Sequence, residues 1–346
     1  MSDGRPEVVV LCQRNIREQY MQDEALSCLE SFAQWRWIDC QDGHLTEDGD
    51  LIAQIKSANA VVLAPGAPQI SGDIMDRVSG LGFIGDMEGD RFAQRIDLDA
   101  AWERGIRTID TTNGSSYPVS EWALALIIIS LRNAGAHFRN MIAGRTRKTG
   151  DDPGYKHGDL YGKRIGLIGC GHIGRRLIKF LEPFRCEIFV YDPYLPREMA
   201  DAVGFTQTSL KNVMSGTDAI VCLAPITRRT RGMIGKEELD WIPEGAIFVN
   251  VSRGAVVDSV ALIARLERGD IVAGLDVFDP EPVPEDSEIL NMPNVFLSPH
   301  IAGVTEASYP RMFTLMVDEL QRHFSGHETL FDLTPGSSAN RRGLDT

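Results

Sequence analysis

The chain has 346 residues, with 35 lysines and arginines against 49 aspartates and glutamates, which gives a formal net charge of −14. Its 43% hydrophobic and 24% charged content is that of an ordinary globular protein, and its length suggests about two domains. The acidic balance argues against nucleic acid or an anionic membrane as the main partner, although a local cationic site can still bind an anionic small molecule.

Three features of the sequence predict a cytoplasmic protein without a membrane anchor. The longest apolar run, Trp122–Leu131, falls well short of the roughly 20 residues that a membrane helix needs. The first residues lack the basic start and apolar stretch of a signal peptide. The six cysteines are scattered without a CxxC pair, as in proteins of a reducing compartment, so we expect no disulfides.

Taken in chain order, short apolar runs alternate with helical patterns. The first series of predicted strands is Glu7–Cys12, Ala60–Leu63, Gly82–Ile84 and Arg107–Asp110. A second series follows the polar segment Ala143–Gly162 and comprises Arg164–Ile168, Glu187–Tyr191, Ala219–Leu223, Ala246–Val251, Ile271–Val277 and Val295–Ser298. Helices are predicted at Val119–Arg132, Ile173–Leu181, Ser209–Met214, Ser259–Arg268 and Glu306–Phe324. Near-continuous apolar strands separated by helices indicate an α/β fold with two doubly wound parallel-sheet domains.

A GxGxxG motif, Gly169, Gly171 and Gly174, lies between a predicted strand and a predicted helix. The first glycine permits a tight turn, the second lets the backbone approach a pyrophosphate, and the third lets the helix pack on the sheet. The helix begins with His172 and Ile173, where N–H groups can bind phosphate oxygens. This context predicts a dinucleotide site rather than a glycine-rich turn that binds nothing.

The next predicted strand leads to Asp192, 18 residues after Gly174. A carboxylate at this place can accept hydrogen bonds from both hydroxyls of the adenosine ribose, and its charge would repel a 2′-phosphate. We therefore expect NAD as the cofactor rather than NADP, although Arg197 is close enough in sequence to weaken that preference.

Three later predicted strands end in polar residues that packing does not explain. They supply Arg253, then Asp276 with Glu281 downstream, and finally His300. In a doubly wound sheet the ligand crevice lies at the carboxyl ends of the strands. We therefore expect these residues to face the nicotinamide half of the dinucleotide. Each residue type alone is more often a surface charge, but their joint position indicates catalysis.

With these motifs the sequence resembles the family of D-isomer-specific 2-hydroxyacid dehydrogenases, which includes phosphoglycerate, glyoxylate/hydroxypyruvate and D-lactate dehydrogenases. The resemblance rests on the glycine loop with Asp192 and on four further motifs, Ala224–Gly232, Asn250–Asp258, Gly274–Pro282 and Ser298–Gly303. These motifs cover about half of the chain, in the family's order and spacing.

The resemblance also implies an architecture. It predicts an NAD-binding Rossmann domain of residues 113–305 inserted into a flavodoxin-like substrate domain of residues 1–112 and 306–346. The apolar run Ala123–Leu131 lies in the region where family members join their domains and dimerise. We therefore expect a homodimer.

Each strand-end residue matches a position with a role in the family. Arg253 matches the arginine that binds the substrate carboxylate and C2 oxygen, for which a planar guanidinium is suited. His300 matches the general acid/base, and Glu281 matches the carboxylate that orients it and stabilises imidazolium. Asp276 matches the residue that contacts the nicotinamide carboxamide. The resemblance further implies cofactor contacts from Pro225, Val251, Ser252 and Gly303.

The implied activity is NAD-dependent interconversion of a D-2-hydroxy acid and its 2-keto acid. A glutamine in place of Glu281 would have indicated the formate dehydrogenase branch. The segment Gly85–Asp97 departs from the family's usual glycine-rich substrate loop, because it carries acidic residues at Asp86, Glu88 and Asp90. Carboxylates suit polyol hydroxyls, and Arg91 or Arg95 could bind an anion, so we hypothesise a larger hydroxylated acid such as a sugar acid. A solvated loop is an equally good interpretation.

Two other functions are compatible with the sequence. One is an NAD(H)-binding regulatory protein of the corepressor kind, and the other is an NAD-dependent enzyme that oxidises and then rearranges its substrate. The complete set of Arg253, Glu281 and His300 favours the dehydrogenase. We predict no metal site, because Gly326 would end a helix between His323 and His327.

Overall fold

The structure, a computed structural model, describes residues 4–40, 48–87, 95–146 and 158–335. The chain divides into two compact units, one formed by Met1–Ser115 with Thr305–Ser338 and the other containing Ser116–Val304. The predicted boundaries lie after residues 112 and 305, and the predicted C-terminal range 306–346 extends past the described residues.

The described part of the first unit contains a parallel sheet of five strands, β1 (Glu7–Cys12), β2 (Gln34–Asp39), β3 (Ala60–Leu63), β4 (Phe83–Asp86) and β5 (Arg107–Asp110). The described helices between them include α1 (Arg14–Tyr20), α2 (Asp23–Phe32), α3 (Asp48–Ile55), α4 (Gly72–Arg77) and α5 (Leu98–Glu103). The strand order is β2-β1-β3-β4-β5. This order is that of flavodoxin-like sheets and confirms the predicted fold class.

Strand β1 illustrates why the predicted strands are continuously apolar. Val8 and Val10 pack in the core on one face of the sheet, whereas Val9 and Leu11 pack in the core on the other. All four side chains are fully buried. Side chains alternate between faces along a strand, so a sheet that helices cover on both faces needs an apolar residue at every position.

Strand β2 is not predicted from the sequence, because its residues alternate between polar and aromatic types. β2 lies at the edge of the sheet, pairs with β1 and is only partly buried. The Trp37 indole N–H donates to the Cys12 carbonyl at 3.1 Å, and the Arg17 guanidinium carbon lies 4.9 Å from the Trp37 ring centre. Because an edge strand such as β2 is only partly buried, its sequence lacks the continuous apolar run that is typical of a central strand.

The second unit contains, among its described residues, a parallel sheet of seven strands, β6 (Arg164–Ile168), β7 (Glu187–Tyr191), β8 (Thr206–Gln207), β9 (Ala219–Cys222), β10 (Ile247–Asn250), β11 (Val272–Leu275) and β12 (Val295–Leu297). The order is β12-β11-β10-β9-β6-β7-β8. From β11 to β8 this is the strand order of a Rossmann sheet, with β12 added at one edge. The order reverses between β6 and β9, which is where such sheets bind their ligands.

The helices of the second unit are α6 (Ser116–Leu131), α7 (Ala134–Ile142), α8 (His172–Leu181), α9 (Glu198–Val203), α10 (Leu210–Gly216), α11 (Lys236–Asp240) and α12 (Ser259–Glu267). The segment Thr112–Leu131, which contains α6, is long and apolar enough to cross a membrane by length and composition alone. However, 56% of its apolar window is buried inside the protein. Ala123, Leu126 and Ile127 are fully buried in the same core as the strands β6 and β9. The apolar character of α6 is therefore that of a core helix.

Helix α13 (Ser308–Phe324) belongs to the first unit. Met312, Phe313 and Met316 pack in the same core as Val8 and Phe83. The buried Glu319 carboxylate accepts the N–H groups of Leu330 and Phe331 at 2.7 and 3.1 Å. These hydrogen bonds fix the segment that follows the helix.

Candidate active site

The predicted site residues of the second unit lie at the carboxyl edge of one parallel sheet. They follow successive strand ends in the order Gly169 (β6), Asp192 (β7), Pro225 (β9), Arg253 (β10), Asp276 (β11) and His300 (β12). Because parallel strands all end at the same edge, residues far apart in sequence are brought to one surface.

The glycine loop has little room for side chains at its two ends. Gly169 has a φ of +91°, and its N–H donates to the Tyr191 carbonyl at 2.8 Å. A Cβ on Gly169 would lie 3.0 Å from the Ala224 nitrogen, and one on Gly174 would lie 3.2 Å from the Gly169 carbonyl oxygen. The turn thus packs directly against the neighbouring strand end and against the start of α8.

Gly171, in contrast, faces open space. A Cβ there would meet no atom within 4 Å, and Gly171 is the residue before the first turn of α8. His172 is exposed, and Ile173 packs against the core. An exposed glycine at a helix N-terminus leaves room for a phosphate group to approach backbone N–H groups, so these residues fit the pyrophosphate of a dinucleotide.

Asp192 is held beside this loop by backbone groups. Its carboxylate accepts the Cys170 N–H at 2.9 Å and the Tyr194 N–H at 3.0 Å, one on each oxygen. Each carboxylate oxygen has more than one lone pair, so Asp192 can still accept hydrogen bonds from ribose hydroxyls.

The neighbouring Cys170 side chain is buried, and this burial raises the pKa of its thiol to about 11. The thiol is therefore protonated near neutral pH and lacks the thiolate character of a reactive cysteine.

The ends of β9 and β10 are joined by hydrogen bonds. The Ser252 hydroxyl donates to the Ala224 carbonyl, and the Ser252 N–H donates to Asn250 Oδ1 at 3.0 Å. Val251 and Ser252 are largely buried, whereas Pro225 is exposed. Arg253 follows directly and is partly exposed, with its Nη1 donating to the Ser252 carbonyl at 2.7 Å. The loop that carries Arg253 is thus fixed by hydrogen bonds to the backbone carbonyls of Ala224 and Ser252.

Gly254 lies where there is no room for a side chain, which was not predicted from the sequence. A Cβ on this residue would lie 1.9 Å from the carbonyl carbon of Phe278. The loop after β10 therefore passes in direct backbone contact with the loop after β11. A glycine directly after the candidate arginine is the only sequence signal of this contact.

The structure brings together the two residues predicted to act as an acid/base pair. His300 Nδ1 lies 3.0 and 3.1 Å from the two carboxylate oxygens of Glu281. The side chains are 45% and 37% exposed, so the pair is open to a substrate. A carboxylate only accepts hydrogen bonds, so we assign the proton to Nδ1 on the basis of this contact. The lone pair of a neutral imidazole then lies on Nε2, where it can accept a proton.

Asp276 lies under the loop that carries His300. The side chain is 0% exposed, and its carboxylate accepts the N–H groups of Ile301 and Ala302 at 3.0 and 2.9 Å. Gly303 follows in the same loop and is partly exposed. The structure therefore reveals a loop contact for Asp276, whereas its contact with the nicotinamide carboxamide stays a prediction.

In the first unit, two residues of the segment Gly85–Asp97, Asp86 and Arg95, form an ion pair with each other. Arg95 Nη1 lies 3.4 Å from Asp86 Oδ2, and both side chains are buried. A buried carboxylate cannot meet polyol hydroxyls, and a buried, paired guanidinium is not displayed to a substrate anion. In this structure Asp86 and Arg95 thus contact each other, which does not support the hypothesis about them but leaves it a prediction, and Glu88, Asp90 and Arg91 lie outside the described residues.

Comparison with known proteins gives a consistent result. Residues 124–302 match the protein-family model described as "D-isomer specific 2-hydroxyacid dehydrogenase, NAD binding domain". The chain is 30% identical over 308 residues to the D-3-phosphoglycerate dehydrogenase of Methanocaldococcus jannaschii. It is 32% identical over 300 residues to YoaD of Bacillus subtilis, whose name assigns it to the 2-hydroxyacid dehydrogenases.

The extent of these matches differs. The alignment with the phosphoglycerate dehydrogenase covers 88% of this chain but only 56% of that protein, whereas the alignment with YoaD covers 84% of each. A solved structure of a phosphoglycerate oxidoreductase from Rhizobium etli is 25% identical, with a TM-score of 0.80, and covers 95% of this chain and 98% of that one. The similarity thus extends over both units.

Proposed function

This chain belongs to the family of D-isomer-specific 2-hydroxyacid dehydrogenases, and from that premise we propose that it interconverts a D-2-hydroxy acid and its 2-keto acid with NAD. The observation that carries this proposal is the contact of His300 with Glu281 at 3.0 Å. The pair lies at the same sheet edge as the glycine loop and Arg253. A dinucleotide loop with an oriented imidazole and a guanidinium has the groups that hydride transfer from an alcohol requires.

We assign one task to each side chain. The Arg253 guanidinium holds the substrate by its carboxylate and C2 oxygen. During oxidation, His300 Nε2 accepts the proton of the C2 hydroxyl while the C2–H bond breaks and its electron pair leaves as hydride. Glu281 keeps the ring oriented and stabilises the imidazolium that forms. In the reverse direction, His300 returns the proton to the carbonyl oxygen.

We propose that NAD is the cofactor. When bound, it would accept the hydride, and this is the one chemical step that it would supply. The residues that would hold it are Gly169, Gly171 and Gly174 with the first turn of α8 at the pyrophosphate, and Asp192 at the ribose. The open space beside Gly171 supports this assignment. The negative charge of Asp192 favours NAD over NADP, because a 2′-phosphate would be repelled.

We leave the substrate class broad. The hypothesis of a larger hydroxylated acid, such as a sugar acid, stays a prediction, and the ion pair of Asp86 with Arg95 gives it no support. Its remaining residues lie outside the described part of the chain. The experiment must therefore compare small 2-keto acids with longer hydroxylated ones.

We also propose a homodimer and a reducing, cytoplasmic location. α7 carries three exposed apolar side chains, Phe138, Met141 and Ile142, which are 65%, 55% and 71% exposed. Adjacent exposed apolar side chains are typical of a protein–protein contact. All six cysteines are free thiols, as expected in a reducing compartment.

The test is loss of the NADH absorbance band with a panel of pyruvate, glyoxylate, hydroxypyruvate and C4–C6 2-keto sugar acids. We expect turnover of at least one acid, and a loss of about 10²–10⁴-fold in kcat/KM in Arg253→Ala and in His300→Ala. Arg77→Ala and His327→Ala are matched controls at exposed positions and keep wild-type rates. Undiminished turnover in both site variants would contradict the proposed mechanism.

Two other outcomes would favour the alternative functions. If NADH binds tightly but no acid is turned over, a regulatory NAD(H)-binding protein is the better interpretation. If a substrate is converted to a rearranged product without net change in NADH, the protein is an enzyme that oxidises and then rearranges its substrate.

A further inference from the structure

His300 has a backbone conformation that histidine rarely adopts. Its φ is +54°, in the left-handed region that disfavours residues with a side chain. Its N–H is shared between the Asp276 carbonyl at 2.8 Å and the Ser298 carbonyl at 3.0 Å. Such a conformation persists only where the surrounding contacts over-determine it. The contacts that hold this loop therefore also decide where the imidazole points.

The Asp276 carboxylate holds the loop on both sides of His300. It accepts the Ser298 hydroxyl at 2.5 Å on one side, and the N–H groups of Ile301 and Ala302 on the other. Consecutive N–H groups around a left-handed residue form a concavity that suits an anion. Asp276 is 0% exposed, so these hydrogen bonds are shielded from bulk solvent.

A third residue extends this network to a different element. The Trp122 indole N–H, from α6, donates to Ser298 Oγ at 3.0 Å across 176 positions of sequence. An indole N–H can only donate, so Ser298 Oγ must accept it and direct its own proton toward Asp276. The chain of hydrogen bonds therefore has one direction, from Trp122 through Ser298 to Asp276.

We propose that Trp122 and Ser298 are positioning residues that hold His300 in its reactive orientation through Asp276. The proposal rests on the proposed function, because it assumes that His300 transfers the proton. Removal of the Ser298 hydroxyl leaves the indole N–H without this acceptor and Asp276 with one donor fewer. The loop then relaxes, and proton transfer slows because it needs heavy atoms within about 2.6–3.2 Å. The glycine loop makes none of these contacts, so binding of the pyrophosphate and adenosine parts of the cofactor is unaffected, whereas the nicotinamide contact predicted for Asp276 can change.

The first test separates catalysis from cofactor binding. Ser298→Ala is expected to lower kcat by about 10–100-fold, measured with NADH and the 2-keto acid that the wild-type protein reduces fastest. The dissociation constant of ADP-ribose, which can contact the glycine loop and Asp192 but carries no nicotinamide, stays within about twofold of wild type when measured by competition with NADH. Ser298→Thr keeps the hydroxyl and restores the rate. Ser209→Ala is the matched control, because it removes a hydroxyl that caps α10 in the same unit, and it keeps the wild-type kcat.

The second test asks whether Ser298 acts through His300. If it does, the double variant Ser298→Ala/His300→Ala is no slower than His300→Ala alone, since the effects of residues that act as a unit are not additive. Multiplicative losses in the double variant would overturn the proposal. Trp122→Phe keeps an aromatic side chain but removes the indole N–H together with the five-membered ring, and we expect a drop in kcat of the same kind. This variant tests the proposal even if Ser298→Ala does not fold.

A third readout does not depend on turnover. Hydrogen exchange at the amides of Ile301 and Ala302 is slow in the wild-type protein and at least about tenfold faster in Ser298→Ala. Unchanged exchange or an unchanged kcat in Ser298→Ala, with His300→Ala still inactive, overturns the positioning role and leaves the proposed function intact. Full activity of His300→Ala overturns both.

Discussion

Two glycines near the site are required for opposite reasons. At Gly254 a side chain has no room, because the backbone of Phe278 occupies the position of its Cβ. At Gly171 a side chain has ample room, because nothing lies within 4 Å. The first glycine therefore serves the fold, whereas we propose that the second leaves space for the pyrophosphate of the cofactor.

These two positions make a paired prediction. Gly254→Ala lowers the free energy of unfolding by at least about 3 kcal/mol, because the backbone must move to admit the methyl group. Gly171→Ala changes stability by less than about 1 kcal/mol but weakens NAD binding by at least about tenfold. Urea denaturation and NADH fluorescence titration measure the two effects. A Gly171→Ala variant that binds NADH as tightly as wild type would argue against a pyrophosphate at this loop.

At the scale of elements, α6 is buried on most of its surface and joins several strands into one core. Leu126 is fully buried. Its Cβ lies 3.2 Å from the position that a Cβ on Gly274 in β11 would occupy, so α6 and β11 are in close contact. An apolar helix in such a setting is stabilised by packing rather than by lipid.

We expect Leu126→Ala to lower the free energy of unfolding by about 2–5 kcal/mol, because it leaves a cavity in a packed core. Leu290→Ala is the same chemical change at a position that is 38% exposed, and its effect is smaller by at least half. Urea denaturation of the purified variants gives both values. Equal effects would mean that α6 is not packed as described.

The elements that could be predicted from sequence are those whose signal is local. Central strands such as Ala60–Leu63 and Arg164–Ile168 have the predicted bounds, because burial on both faces requires continuous apolar residues. The edge strand β2 and the two-residue β8 lack that signal. The polar strand ends could likewise be predicted, since parallel topology places them together. The contact of Gly254 with Phe278 and the bond from Trp122 to Ser298 could not, because each depends on how distant segments pack.

At the scale of the whole molecule, the exposed face of α7 predicts association. We expect light scattering to give the mass of a dimer for the wild-type protein. Phe138→Glu/Ile142→Glu places two charges in the contact and raises the dimer dissociation constant by at least about 100-fold, with unchanged circular dichroism. Leu330→Glu, at a residue that is 66% exposed, is the matched control and remains dimeric. A monomeric wild-type protein at micromolar concentration would contradict this prediction.

The first unit is assembled from both ends of the sequence, and this has a consequence for synthesis on the ribosome. Its five strands emerge first, but α13, which supplies Met312, Phe313 and Met316 to their core, emerges only after the second unit. The intervening segment has 304 − 115 = 189 residues, or roughly 10–40 s of translation. For that time one apolar face of the nascent sheet is covered only by α1 and α2, which supply Tyr20, Ala25 and Leu29, and lacks α13. We therefore expect the second unit to complete its fold first, and the N-terminal segment to need protection by chaperones until α13 has been synthesised.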